Sequence, residues 1–170
     1  MNGLILGRFQ LFHKGHQQLI DKALSECDKV LVFIGSAEKS GTKQNPFTYE
    51  LRAKLINEIY GDKIILKPLN DLGVGNVHAW GDYVFKNALK YLDRVDIIYF
   101  GGEVKHELWY SEEYSKNTKF EVFDRKEIPI SASLIREAII NDDYNTFEKF
   151  TDPKIHKFYD ELKNILRKID

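Results

Sequence analysis

The 170-residue chain contains little cysteine, methionine or proline, and no strong excess of charge of either sign. Cys27 is its only cysteine, which excludes internal disulfides and cysteine-rich metal sites. The 25 basic and 26 acidic residues nearly cancel, so no broad field attracts nucleic acid or an anionic membrane. No apolar run approaches the roughly 20 residues that span a bilayer, and no leader-like segment is recognisable. We therefore expect a cytoplasmic protein with no nucleic-acid or membrane partner.

The length and the 43% hydrophobic content suit a single domain over residues 1–170, with a helical extension over about 143–170. Two short apolar runs that end in glycine, NGLILG at 2–7 and VLVFIG at 30–35, are typical of buried parallel strands. The segment between them places apolar residues at helical spacing. Residues 2–35 are thus predicted to form a strand, a helix and a second strand.

The same alternation continues along the chain. The pattern predicts helices over about 48–60 and 80–92, a weaker helix that reaches about 114, and strands at 63–69, 95–102 and 119–124. Thr48 and Ser131 are candidate N-caps, and two short amphipathic helices follow and end near Lys168. Five strands that alternate with helices predict an α/β fold: a Rossmann-like, doubly wound parallel sheet with short C-terminal helices.

The stretch GRFQLFHKGH, residues 7–16, leaves the carboxyl end of the first predicted strand, where ligands bind in such sheets. Gly7 and Gly15 allow close backbone approach, and the N-terminus of the following helix favours an anion such as phosphate. His13 and His16 are three residues apart and share one side of the first helical turn. The remaining histidines, at 78, 106 and 156, lack metal-ligand spacing, so we predict no metal site.

Three motifs in order give the chain a close resemblance to the nucleotidyltransferase superfamily marked by H-x-G-H, and within it to the archaeal-type nicotinamide-mononucleotide adenylyltransferases. GRFQLFHKGH matches their G-R-F-Q-P-F-H-x-G-H, with Leu11 in place of proline. IGSAEKSGTKQNPFTYELR is similar to their segment after the second strand, and ISASLIR, residues 130–136, is similar to I-S-x-[ST]-x-x-R.

The resemblance implies that ATP lies across the first loop, with catalytic roles for four residues: Arg8, His13, His16 and Arg136. Among them, His16 is expected to stabilise the transition state at the α-phosphate, and Arg136 to hold the β- and γ-phosphates. The full set of ATP-binding residues expected from the resemblance is Gly7, Arg8, Phe9, His13, Gly15, His16, Gly101, Gly102, Arg125, Ser131, Ser133 and Arg136.

The resemblance also assigns residues to the acceptor substrate, namely Ser36, Asn45, Phe47, Arg52, Asp71 and Trp80. Trp80 could stack on the cationic nicotinamide ring. Thr48 as an N-cap and Phe47 as a hydrophobic staple would explain those two without a ligand, which makes Arg52 the stronger candidate. Ser36 and Asp71 could equally be ordinary turn residues.

The activity implied is transfer of AMP from ATP to nicotinamide mononucleotide, with Mg²⁺ accompanying ATP and self-association common among relatives. Two alternatives stay open. One is a related adenylyl- or cytidylyltransferase for pantetheine phosphate, a polyol phosphate or flavin mononucleotide, and the other is a nucleotide sensor without catalysis. The chain lacks the K-M-S-K-S motif of class I aminoacyl-tRNA synthetases, a G-x-x-x-x-G-K-[ST] phosphate loop and a Nudix-like acidic helix, so we expect a single activity.

Overall fold

The computed structural model describes residues 1–73, 77–101, 110–123 and 130–169, with the backbone alone at position 77. Two residues that the sequence assigned to ATP binding, Gly102 and Arg125, lie outside the described residues.

A five-stranded parallel sheet forms the centre of the fold, in the order β3-β2-β1-β4-β5. Its strands are β1 (Asn2–Gly7), β2 (Lys29–Ile34), β3 (Ile65–Pro68), β4 (Ile97–Gly101) and β5 (Lys119–Phe123). The chain builds outward from β1 to β3 and then crosses back to β4. The strand order therefore reverses between β1 and β4, which is where open α/β sheets hold their ligands.

The described residues form seven α-helices and two 3₁₀ turns, the latter at Gly61–Lys63 and Pro153–Phe158. The α-helices are α1 (Lys14–Glu26), α2 (Tyr49–Tyr60), α3 (Val77–Ala88), α4 (Glu112–Ser115), α5 (Ala132–Ile140), α6 (Tyr144–Phe150) and α7 (Tyr159–Arg167). None of them is both long enough and apolar enough to cross a membrane.

Alternate residues of the strands bury their side chains on opposite faces of the sheet. Ile5 of β1 packs with Leu19 and Ile20 of α1, whereas Leu4 of β1 packs with Val84 of α3 on the other face. A third cluster joins α2 to the C-terminal helices α5, α6 and α7. The predicted doubly wound α/β fold is thereby confirmed.

The structure changes several predicted boundaries. Helix α3 begins at Val77 rather than Trp80 and ends at Ala88, because residues 89–91 form a turn in which the Lys90 N–H bonds the Asn87 carbonyl at 3.2 Å. Strand β4 begins at Ile97, two residues later than predicted. Thr48 and Ser131 cap their helices as predicted, accepting the N–H groups of residues 51 and 134 respectively.

Leu11, which stands where the resembled family has proline, is fully buried. Its side chain belongs to the cluster that α2 forms with the C-terminal helices and that contains Phe47 and Ile135. The substitution therefore adds apolar packing beneath the first loop and removes no polar group from its surface.

Candidate active site

A cleft opens at the carboxyl ends of β1 and β4, at the reversal of strand order. It is lined by residues of β1 and the loop after it, by the first turns of α1 and α5, and by the end of β4. Of the residues that the sequence assigned to ATP and that the structure describes, the cleft brings together Gly7, Arg8, Phe9, His13, His16, Gly101, Ser131, Ser133 and Arg136.

The two histidine rings stack in the cleft, with centroids 3.7 Å apart and planes inclined by 21°. His13 is the N-cap of α1, and its Nδ1 accepts the backbone N–H of Gly15 at 3.0 Å. His16 Nδ1 in turn accepts the backbone N–H of His13 at 3.2 Å, which completes a capping box. Because both Nδ1 atoms are acceptors, each neutral imidazole carries its proton on Nε2 and is a donor there.

Gly15 and Gly7 are required where they stand because side chains pack directly over them. A Cβ at Gly15 would lie 2.9 Å from Cε1 and 3.0 Å from Nδ1 of His13. A Cβ at Gly7 would lie 2.8 Å from the ring of Phe9, a residue with a positive φ of 53°. That ring is nearly buried and meets the His16 ring edge-on at 4.9 Å. Phe9 therefore lines the cleft and also supports His16.

Two guanidinium groups lie at the cleft, those of Arg8 and Arg136. Arg136 donates to the carbonyl of Gln10 and, at 3.4 Å, to the hydroxyl of Ser133, while Arg8 is exposed and donates to the Oδ1 of Asn45 at 3.4 Å. Burial, and after it the charge of Arg8, lowers the pKa of Arg136. Neither arginine forms a salt bridge with a described residue. The cleft thus places two cations near each other without a described carboxylate partner.

Gln10 is a component of the site that the sequence reasoning passed over. Its side-chain amide is buried and bonds to the backbone of Phe47 in both directions, accepting from the N–H at 2.9 Å and donating to the carbonyl at 3.1 Å. Its own carbonyl accepts from Arg136. Gln10 therefore joins the loop after β1 to the NPFT segment, residues 45–48, and to α5. The sequence does contain a signal for this role, because Gln10 is the last residue of the GRFQ motif at residues 7–10.

Arg52 and Phe47, which the resemblance assigns to the acceptor, both have side chains that are 0% exposed. The Arg52 guanidinium donates to carbonyls in the loop after β1, the loop after β2 and the start of α2, those of Arg8, Gly35, Ser36, Lys39 and Thr48. Phe47 belongs to the apolar cluster beneath the first loop. Arg52 and Phe47 therefore stabilise the loops that line the cleft, from buried positions beneath them.

Ser36 and Asp71, both assigned to the acceptor, form one network at the ends of β2 and β3. The Ser36 hydroxyl donates to Asp71 Oδ1 at 2.9 Å, and Lys39 Nζ lies 2.8 Å from Asp71 Oδ2. Burial opposes the charged form of Asp71, but the hydrogen bonds from Lys39 and Ser36 outweigh it and hold the pKa of this carboxyl below its usual value. Ser36 has a positive φ of 46°, so the turn is strained at this point.

Trp80 and Asn45 complete the predicted acceptor residues. Trp80 packs on Tyr83 with centroids 5.5 Å apart, and the Tyr83 hydroxyl donates to the carbonyl of Asn70, next to Asp71. Asn45 is connected to the cleft by its contact with Arg8. None of the six predicted acceptor residues is among those that line the histidine cleft. Ser36, Asp71 and Trp80 form a second group at the ends of β2 and β3, connected through Tyr83 and Asn70.

The described residues contain no group of three or more His, Cys, Asp or Glu side chains placed to hold a metal ion. The cleft-lining residues include no carboxylate among those that the structure describes. Carboxylate and other oxygen ligands are what Mg²⁺ prefers. The described part of the cleft thus presents donors and cations suited to an anion.

Comparison with known sequences identifies relatives along most of the chain. Residues 4–144 match the model of the family described as cytidylyltransferase-like. The nicotinamide-nucleotide adenylyltransferase of Thermococcus sibiricus is 30% identical over 173 residues, covering 98% of this chain and 87% of the relative. The enzyme of the same name from Methanococcus aeolicus is 34% identical over 146 residues, covering 84% of this chain and 80% of the relative.

Comparison with solved structures supports the fold. A bifunctional NMN adenylyltransferase/ADP ribose pyrophosphatase from Francisella tularensis, solved with AMP and a manganese ion, superposes with a TM-score of 0.73 at 24% identity. The superposition covers 99% of this chain and 51% of the other, so the chain spans about half the length of that bifunctional protein.

Proposed function

Because the chain belongs to the cytidylyltransferase-like family, we propose that it is an enzyme that joins the phosphate of nicotinamide mononucleotide to the AMP part of ATP, forming NAD and releasing pyrophosphate. Two curated archaeal relatives that carry the name of this activity match across most of their own length as well as most of this chain, which supports the choice of substrates.

The observation that carries the proposal is the set of groups in the cleft between β1 and β4. Two stacked histidines, the start of α5 and the guanidinium groups of Arg8 and Arg136 meet there without a described carboxylate. Two like charges held near each other favour the arrival of an anion, because an anion relieves their mutual repulsion. A triphosphate carries negatively charged oxygen atoms on three linked phosphates, which can contact several of these groups at once.

In the proposed reaction, a phosphate oxygen of the mononucleotide attacks the α-phosphorus of ATP in line with the departing pyrophosphate. The new phosphorus–oxygen bond forms as the bond to the bridging oxygen of the β-phosphate breaks, and that oxygen keeps the electron pair. The protein supplies position and positive charge, and no covalent enzyme intermediate is required.

The residues divide this work according to their placement. The Nε2 donors of His13 and His16 face the charge that develops at the α-phosphate, with His16 as the principal stabilising group. Arg136, Ser131 and Ser133 hold the β- and γ-phosphates at the start of α5, where the helix dipole also favours negative charge. Arg8 bridges the triphosphate and the attacking phosphate.

The second group of residues is where we place the mononucleotide. Ser36, Asp71 and Trp80 lie on the β2 and β3 side, and the Arg8–Asn45 contact connects them to the histidine cleft. An aromatic face at Trp80 suits the cationic pyridine ring. The buried Arg52 does not contact the substrates in this proposal. It fixes the carbonyls of the loops after β1 and β2, and these loops shape both the ATP site and the mononucleotide site.

Mg²⁺ enters this scheme as part of the substrate, MgATP. Phosphate oxygens are ligands that Mg²⁺ prefers, and its charge neutralises part of the triphosphate. The described cleft offers it no carboxylate, so we place no Mg²⁺ ligand on the described residues. Self-association and a cytoplasmic location stay predictions from the sequence.

The test is to incubate the purified protein with Mg²⁺ and ATP or CTP, together with one phosphate acceptor at a time. The acceptors are nicotinamide mononucleotide, nicotinic acid mononucleotide, pantetheine phosphate, glycerol phosphate and flavin mononucleotide. Products are identified by mass, and pyrophosphate is measured independently. We expect NAD and an equal amount of pyrophosphate from ATP and nicotinamide mononucleotide.

Two outcomes would contradict the proposal. Accumulation of another conjugate without NAD would identify a related transferase with a different acceptor. Nucleotide binding without pyrophosphate release from any pair would identify a sensor. A mock purification from cells that do not produce this chain serves as the blank for contaminating activity, since any NAD formed by that preparation does not come from this protein.

A further inference from the structure

A small, largely enclosed cavity lies beside the histidine cleft, on the side of β4 and β5. The cavity shares His13, His16, Leu19 and Gly101 with the cleft, so the two spaces adjoin. Its remaining walls include the apolar side chains of Phe123 and Ile130. The cavity has a volume of only about 30 Å³, which suits the edge of a flat ring attached to a phosphate chain in the cleft but not a whole base.

Gln18 of α1 adds a further polar side chain to the wall of the cavity. Its Oε1 atom is buried and has no hydrogen-bond partner among the residues that the structure describes. A buried acceptor without a partner costs about 1–3 kcal/mol, and the large majority of buried polar atoms in proteins are paired. A ligand that brings an N–H donor to Gln18 Oε1 would therefore be stabilised there, next to the site where the phosphates are expected.

We infer that the Gln18 amide oxygen accepts a hydrogen bond from the exocyclic amino group of adenine and so makes the chain select ATP over nucleotides that lack this group. The inference rests on the proposed function, because it takes the phosphates in the histidine cleft as its starting point. It adds a residue that recognises the base, distinct from those that hold the phosphates.

The position of Gln18 on α1 explains why it can read the base edge while the histidines hold phosphate. Gln18 lies two residues beyond His16 on α1, and His16 lines the cleft. Leu19, adjacent to Gln18, is nearly buried and provides apolar surface. A base enclosed by apolar walls is discriminated chiefly by the polar atom left unpaired when the wrong base enters.

The test compares ATP with purine ribonucleoside triphosphate, which differs by the absence of the amino group. Equilibrium binding of each, with Mg²⁺, is measured by calorimetry for the wild type, Gln18→Leu and Gln17→Leu. Gln17 is the matched control, because it is the neighbouring glutamine on α1 and its amide instead donates to Asp152 at 2.8 Å. Melting curves verify that all three proteins are folded.

We expect the wild type and Gln17→Leu to bind ATP about tenfold more tightly than the analogue, and Gln18→Leu to bind the two nucleotides equally. Equal binding of both nucleotides by the wild type would overturn the inference, and that arm needs no variant. Retention of the wild-type preference by Gln18→Leu would overturn it as well.

The same proteins separate this inference from the proposed function. NAD formation without discrimination between the two nucleotides refutes the role of Gln18 and leaves the transferase intact. Discrimination that depends on Gln18, without NAD from any acceptor, supports base recognition and refutes the proposed reaction.

Discussion

The backbone N–H of Gly15 donates to Nδ1 of His13 at 3.0 Å, and the space between these two residues admits no further carbon atom. We predict that Gly15→Ala displaces the His13 ring, weakens the cap by about 1 kcal/mol and lowers kcat by roughly tenfold to a hundredfold. Thermal unfolding and steady-state NAD formation measure the two effects. Gly35→Ala is the control, because its Cβ would make only an ordinary 3.5 Å contact with Leu6. If Gly35→Ala lowered the stability and kcat as much as Gly15→Ala, the steric argument would be contradicted.

His16 is the residue on which turnover should depend most. We predict that His16→Ala lowers kcat by on the order of a hundredfold or more, because a preorganised donor at the α-phosphate is lost. The control is His156→Gln, since His156 contacts the Thr151 carbonyl within the C-terminal segment. Circular dichroism checks that α1 survives. Near-normal turnover by a folded His16→Ala protein would remove His16 from its central role.

Gln10 connects the first loop to the NPFT segment through two hydrogen bonds to Phe47. Gln10→Leu leaves the buried N–H and carbonyl of Phe47 without these partners, so we predict a loss of about 2 kcal/mol or more in the free energy of unfolding. Urea titration measures it. Gln44 is exposed and directly precedes the NPFT segment, so Gln44→Leu is the control and should change the free energy of unfolding by less than about 0.5 kcal/mol. If the two variants lose the same stability, the two bonds contribute little.

The features that the sequence predicted correctly are those determined within a few residues or by strand topology. Ser131 and Thr48 cap helices because a hydroxyl three residues before an N–H is in reach regardless of the rest of the fold. His13 and His16 meet because helical spacing places them on one side of a turn. The cleft lies at the end of β1 because parallel strands connected by helices leave their carboxyl ends open.

The features that the sequence could not predict depend on closure between distant loops. Arg52 is four residues from Thr48, but its other acceptors are the carbonyls of Arg8, Gly35, Ser36 and Lys39, which residue types do not reveal. An arginine in a matching motif is equally compatible with phosphate and with carbonyl partners. Only the position of the loops decides between them.

Arg52 supplies a direct test of that structural role. Lysine has three donors and no planar fork, so Arg52→Lys leaves buried carbonyls unpaired, and we predict a loss of about 3 kcal/mol in the free energy of unfolding. Arg167→Lys is the same substitution at an exposed arginine that bonds the Ile140 carbonyl, and we expect a loss below about 1 kcal/mol there. Urea titration compares the two. A stable Arg52→Lys protein with an impaired KM would instead indicate direct ligand contact.

The Asp71 network predicts a particular dependence of stability on pH. Hydrogen bonds from Lys39 and Ser36 hold the pKa of Asp71 below its unfolded value of about 3.9. The contribution is therefore fully present well above pH 4 and disappears as the pH falls through the folded pKa. Because the Lys39–Asp71 pair is partly exposed, we expect it to contribute at most about 1 kcal/mol to the free energy of unfolding.

Urea titrations at pH 6 and pH 3 test this dependence. We expect Asp71→Asn to be less stable than the wild type at pH 6, and the difference between the two proteins to be smaller at pH 3. A difference that stays constant, or grows, on acidification would show that the charged form of Asp71 does not stabilise this turn.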